Sequence, residues 1–294
     1  MTDNNSDSPN RSNVIGPEDY AEPACVLCGT PYGQEEIKPV PLDRILQKTD
    51  ACMGCQDYAG AERLLTYWLG EAELNRDKKG QYSLHNELMG YYRKMRKKDE
   101  AFAHAEAALA LIDELDIGGL PSAATGYVNS ATVFAAFDEP ERSVPLFEKA
   151  QAIYEETLKP DDSRLGALYN NMGLTFASLA RYEDAHAVYA KALEVMARVP
   201  NGVLETAITH LNDANVYEDE LGLEKAEDII QELLEKAKAC LDDPAPPRNG
   251  YYAFVCEKCA PTFTYYGWLA YGNALTERSE AIYRANQAGE GTPT

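Results

Sequence analysis

An all-α fold of stacked helix hairpins is what this sequence predicts, on three observations. The stretch from 169 to 195, YNNMGLTFASLARYEDAHAVYAKALEV, reads as two helices and a turn. Gly173 is small enough for two helices to approach closely, and Phe176 and Leu179 follow it at helical spacing. After the turn Ala180-Arg181-Tyr182, Ala185, Tyr189 and Ala192 recur at intervals of four and three, the apolar stripe of a second helix. The same template returns along the chain. Ala185 has counterparts at Ser143, Ala101, Ala61 and Ala226, at spacings of 42, 42, 40 and 41 residues. Around them stand Phe134, Phe147 and Ala150; Met89, Tyr92 and Ala108; and Tyr217, Ile230 and Leu233. A hairpin of this size cannot bury both its faces alone, so each unit needs neighbours like itself.

Taken in order, residues 1–22 are rich in Asn, Ser, Asp and Pro and are predicted to be disordered. Segment 23–41 carries the turn Cys25-Val26-Leu27-Cys28-Gly29-Thr30 and a loop to Pro41, which suits the first turn of a helix over 42–55. Asp57 caps a second helix over 58–75, and this pair is a degenerate first repeat. Further repeats run over 81–115, 123–158, 162–197 and 204–239, so the array occupies 42–241 in about five units. Turn formers mark their junctions at Asp77-Lys78-Lys79-Gly80, Gly118-Gly119-Leu120-Pro121, Lys159-Pro160-Asp161-Asp162 and Val199-Pro200-Asn201-Gly202. After Leu241, Asp242-Asp243-Pro244-Ala245-Pro246-Pro247 interrupts the helices, and a last pair over 250–286 reads as a C-terminal cap. Its register is poor. Cys256 falls 42 residues after Ala214, at the small position, but Trp268 falls 42 after Ala226, where Ala is expected. Pro261 is expected to kink or end the first helix of this pair, and 287–294 to form a loose tail.

The order small residue, aromatic, turn, Ala, aromatic, Ala resembles the tetratricopeptide repeat family. Spacing near 42, rather than the usual 34, together with Tyr169-Asn170-Asn171-Met172-Gly173, is similar to the kinesin light chain variety. The resemblance covers about 42–239. It implies a right-handed α-solenoid of antiparallel hairpins, a superhelix with a concave groove lined by the first helix of each unit.

In that family, positions two and three before the small residue point into the groove. Here they carry Asn86, Asn129, Asn170, Asn171 and Asn212, with Asn215 beside them. One Asn per unit, at intervals of 43, 42 and 41 residues, forms a ladder. An Asn amide offers both donor and acceptor, so it can hold the main chain of an extended peptide whatever its side chains. The alternative is that these amides bond to neighbouring helices and stabilise the stack. Arg93 and Lys94 sit one turn on in the second unit, Ala135 and Ala136 in the third, Ala177 and Ser178 in the fourth, Glu218 and Asp219 in the fifth. Such a groove is basic at one end, small in the middle and acidic at the other, a polarity that orients a peptide or is a solvated charge pattern.

The formal net charge is −21, from 48 acidic and 27 basic residues. That field repels phosphate backbones and anionic lipid, which argues against nucleic acid and membrane surfaces and for a neutral or basic polypeptide. No apolar run approaches the roughly 20 residues of a membrane span. The first twenty residues lack the apolar core of a secretion signal, so a cytoplasmic location is expected. In that compartment seven cysteines are thiols or metal ligands. The spacing of Cys25, Cys28, Cys52 and Cys55 is acceptable for a four-thiolate zinc site. Yet repeat register puts Cys52 and Cys55 at core positions, where cysteine serves as a small hydrophobe. Cys256 and Cys259 form a third such pair, with no thioredoxin-type strand pattern around it. Neither a Ser-His-Asp arrangement, a glycine-rich phosphate loop nor a His-Glu helix motif is present, so no catalysis is expected. His85 and His210 stand where other units have Tyr127 and Tyr169 and read as packing residues; Asp161-Asp162 and Asp242-Asp243 read as helix caps.

The leading expectation is therefore a non-catalytic interaction module or scaffold that binds a peptide or protein segment. The alternative is a zinc-binding or thiol-active protein whose repeats are a docking handle. A sensor that changes curvature on binding a signalling peptide is a third reading.

Overall fold

A computed structural model describes residues 37–200 and 202–287. Its twelve helices are Leu42–Gly54 (α1), Tyr58–Leu74 (α2), Lys78–Lys94 (α3), Lys98–Glu114 (α4), Pro121–Ala136 (α5), Pro140–Thr157 (α6), Ser163–Ser178 (α7), Tyr182–Met196 (α8), Val203–Leu221 (α9), Leu223–Asp242 (α10), Gly250–Tyr265 (α11) and Leu269–Gln287 (α12). No strand occurs among the described residues. The helices pack as sequential hairpins, the all-α architecture that the repeats predict. Contacts divide the chain into two units, the first ending at Leu115 and regaining the chain from Arg284, the second spanning 116–283.

Within the first unit α1 to α4 pack in succession. Asp57 caps α2 by accepting from the Gly60 N–H at 2.9 Å, as expected. Asp77 does the same for α3, which begins three residues before the predicted 81, and does more. One carboxylate oxygen accepts from Gly80 N–H at 2.9 Å, and the other accepts from the buried Val40 N–H at 2.9 Å, so this cap ties the incoming chain to the second hairpin. Only 6 % of Asp77 is exposed. Asp77→Ala removes a cap worth about 1 kcal/mol and strips the Val40 N–H of its partner. The expected loss of unfolding free energy is about 1.5 kcal/mol, measured by urea denaturation.

In the second unit α5 to α10 form three successive hairpins, and the first helices also touch one another, α7 against both α5 and α9, and α9 against α11. Every second helix, in both units, places its small residue at the fourth position. Ala61, Ala101, Ser143, Ala185 and Ala226 are all fully buried there, and the Ser143 hydroxyl donates to the Ala131 carbonyl at 2.8 Å. In α12 that slot is Gly272, not the expected Trp268, which precedes the helix. Gly272 lies 46 residues after Ala226, because the longer α10 and the proline-rich segment before α11 add the extra residues. A β-carbon on it would sit 2.2 Å from Thr264 Oγ1, so the close approach is the same.

Pro261 neither ends nor breaks α11, which runs on to Tyr265. The carbonyl deprived of its donor is that of Glu257. Both residues lie on the exposed face, where water supplies the missing hydrogen bond. Most hairpin turns close with a left-handed residue bearing a β-carbon, among them Gln56, Arg96, Asp138 and Ala180. The next N–H reaches back to the fifth residue before it, as from Arg181 to the Phe176 carbonyl at 2.8 Å.

Candidate functional site

The first helices of the second unit set the Asn residues in one register. Asn129 on α5, Asn171 on α7 and Asn212 on α9 each stand two residues before the buried small position, at Ala131, Gly173 and Ala214, and each is half-buried. Asn171 donates to the Ala167 carbonyl at 2.9 Å, one turn back on its own helix; its side-chain oxygen accepts no hydrogen bond among the described residues. The position before the ladder is apolar in two of the three helices, Val128 at 9 % and Leu211 at 3 % exposure. In the middle helix it is Asn170, only 6 % exposed. Neither its side-chain nitrogen nor its oxygen has a hydrogen-bond partner among the described residues. A buried amide in that state costs on the order of 1–3 kcal/mol per unmet group.

Residues 122–198 match the family model described as tetratricopeptide repeat, a span that runs over α5, α6, α7 and α8. That segment carries tetratricopeptide repeats. Its fold is similar to that of BtubC (BKLC) from P. vanneervenii, at 22 % identity and a TM-score of 0.58, over 71 % of this chain and 84 % of that one. It is also similar to nearly identical TPR-like repeats of kinesin light chain type from Podosopora anserina, at 17 % identity and a TM-score of 0.48, over 70 % of this chain and 95 % of that one. At such identities the likeness is one of fold. None of the curated proteins matches.

The acidic end of the Asn ladder is occupied from within the second unit. Glu218, one turn beyond Asn215 on α9, accepts from Tyr265 at 2.7 Å through one oxygen and from Tyr266 at 2.7 Å through the other. The Tyr266 hydroxyl is also 3.0 Å from Asn215 Oδ1. Burial, then the Glu218 carboxylate, pushes the Tyr266 phenol well above its ordinary range, so it stays a donor. Asp219 is exposed. Sequence reasoning did not find this clasp.

A second polar station joins α8 to α9. His186 Nδ1 lies 2.6 Å from Asp213 and its Nε2 3.3 Å from Glu220, with the ring centroid 4.1 Å from that of Tyr217 and the two rings tilted by 33°. Three α9 residues at helical spacing thus hold one imidazole. Burial raises the Asp213 carboxyl despite the His186 hydrogen bond. His210 is a packing residue as expected, its buried Nδ1 unpaired among the described residues and its pKa pushed down to about 4, first by burial and then by Lys236.

In the first unit Asn86 donates to the Tyr82 carbonyl at 2.9 Å. Arg93 and Lys94 end α3, both exposed, with the Lys94 ammonium 5.1 Å from the Tyr58 ring centroid. His85 and His104 meet Nδ1 to Nδ1 at 2.8 Å. Burial, then the neighbouring imidazole, lowers His85 to about 4.

Of the four cysteines with zinc-site spacing, Cys25 and Cys28 lie outside the described residues. Cys52 packs in the core at 2 % exposure, and the Cys55 thiol donates to the Asn286 carbonyl at 3.6 Å. Burial, then Asp57, raises the Cys55 pKa, which keeps it a thiol. Among the described residues no three His, Cys, Asp or Glu side chains are grouped as a metal site requires. Cys256 and Cys259 are buried thiols in the core of the second unit, and burial holds both above the ordinary range. Also among the described residues, no helix is long and apolar enough to cross a membrane.

Proposed function

We propose that the chain is a non-catalytic scaffold that grips the main chain of an extended peptide along the face bearing Asn129, Asn171 and Asn212. Tetratricopeptide repeats are generally protein-interaction modules. The observation that carries the finer reading is the shared register of Asn129, Asn171 and Asn212, half-buried amides two residues before the small position on three successive first helices. A guest main-chain N–H brought to Asn171 meets a side-chain oxygen that accepts no bond among the described residues, and Asn212 presents the same group one unit on. Small residues follow at Ala135, Ala136, Ala177 and Ser178, leaving room for a backbone. The net charge of −21 favours a neutral or basic guest, in the cytoplasm, where buried thiols such as Cys52 and Cys256 stay reduced.

A peptide selected from a random displayed library against the wild-type chain provides the ligand for the test. Asn129→Ala/Asn171→Ala is expected to weaken it by about tenfold or more, as two hydrogen bonds of about 1 kcal/mol each require. Glu148→Ala, on the exposed face of α6, should leave it unchanged. Equal affinity in the double variant, with helix content intact by circular dichroism, overturns the reading.

A further inference from the structure

The end of the second unit where α10, α11 and α12 meet holds a feature the ladder does not use. A recess of about 530 Å³ is lined by Asp242, Arg248, Tyr252, Arg278 and Ile282. Asp242 was expected to cap a helix, but it is the last residue of α10 and the hub of this cluster. Its carboxylate accepts from Lys238 at 2.8 Å, Arg278 at 2.9 Å and the Tyr271 hydroxyl at 3.0 Å. Arg248 lies 4.0 Å over the Tyr252 ring and donates through Nη2 to the Asp243 carbonyl at 2.7 Å and through Nη1 to that of Leu241 at 3.4 Å. Arg278 uses Nη1 alone, for Asp242 and for the Tyr252 hydroxyl at 3.2 Å.

Charge and donor capacity decide what the recess suits. Two cations, Arg248 and Arg278, line it, against the single carboxylate of Asp242. It is thus locally positive in a chain of net charge −21. A guanidinium carries five N–H donors in a fixed fork. These bonds leave Nε and Nη2 of Arg278, and Nε of Arg248, without a hydrogen-bond acceptor among the described residues. The stack on Tyr252 holds the Arg248 fork in one plane, and Ile282 gives an apolar wall beside it. Paired forks next to an apolar wall are what a planar or tetrahedral oxyanion attached to a carbon skeleton requires.

We infer that this recess binds an oxyanion, the carboxylate or phosphate group of a small molecule, between Arg248 and Arg278. The inference is independent of the Asn ladder. The test follows the Ile282 methyl and the arginine Nε–H signals by NMR in the full chain, during titration with inorganic phosphate and separately with acetate, at ionic strength matched with chloride. Saturation by one of them, at a Kd on the order of 1–10 mM, is the expected result. Phosphate identifies a phosphate ester as the source and acetate a carboxylate. Arg248→Gln should weaken binding by about tenfold, and Asp242→Asn, which removes the competing carboxylate, should tighten it by about threefold. Opposite signs separate binding from mere structural support, since each substitution removes native hydrogen bonds. Shifts that chloride reproduces, or an Arg248→Gln variant that is folded and binds as well as wild type, overturn the inference.

Discussion

Gly173→Val is expected to unfold the second unit more readily by about 3 kcal/mol, a fall in Tm of about 6–12 °C. A β-carbon on Gly173 would lie 2.3, 2.5 and 2.8 Å from three ring carbons of Tyr189. That ring is 1 % exposed and among the largest fully buried side chains, so it has no solvent to swing into. Gly90, in α3 of the first unit, is the control. A β-carbon there meets nothing within 4 Å, and Gly90→Ala is expected to stabilise by about 0.5–1 kcal/mol through helix propensity alone. Thermal melts of the two variants with the same sign contradict the packing argument.

Asn170→Leu is expected to do the reverse, raising stability while leaving peptide binding intact. The helices on either side put Val128 and Leu211 at this position, so an apolar side chain fits the local packing. Replacing a buried amide whose nitrogen and oxygen are both unpaired should gain about 2–3 kcal/mol. Asn170 is buried with both polar atoms out of reach of solvent, so a guest on the half-buried ladder does not touch it and peptide affinity should be unchanged. Denaturant melts and peptide titrations on one preparation check both outcomes. A variant that is less stable contradicts the burial argument, and one that binds more weakly shows that Asn170 does reach the guest.

The hairpins were legible because the fold leaves a periodic trace. A second helix can approach its partner only where the side chain is small, and that demand recurs as Ala61, Ala101, Ser143, Ala185 and Ala226. The last pair broke the count because extra residues before Gly272 shift the slot without altering its geometry. Pro261 misled for a related reason. A proline penalty depends on whether the orphaned carbonyl is dry, and here it faces solvent. The site was less legible. Ladder spacing follows from the repeat, but that Glu218 is held by Tyr265 and Tyr266 depends on contacts 47 and 48 residues apart, which no periodicity encodes. Nor does sequence separate Asn170, buried and unpaired, from Asn171, back-bonded to its own helix. The oxyanion recess draws on Asp242, Arg248, Tyr252 and Arg278, each unremarkable alone, brought together only by how the final three helices end.

The central claim is that amides on the first helices grip a guest by its backbone rather than by its side chains. Single N-methylation along a bound peptide tests it most directly, read as affinity at each position beside an alanine scan of the same peptide. The account predicts losses of about tenfold at positions spaced along the chain where a main-chain N–H meets an Asn oxygen, with alanine tolerated at those positions. A flat N-methyl profile with steep alanine losses would show that the guest is held by its side chains, and would contradict it.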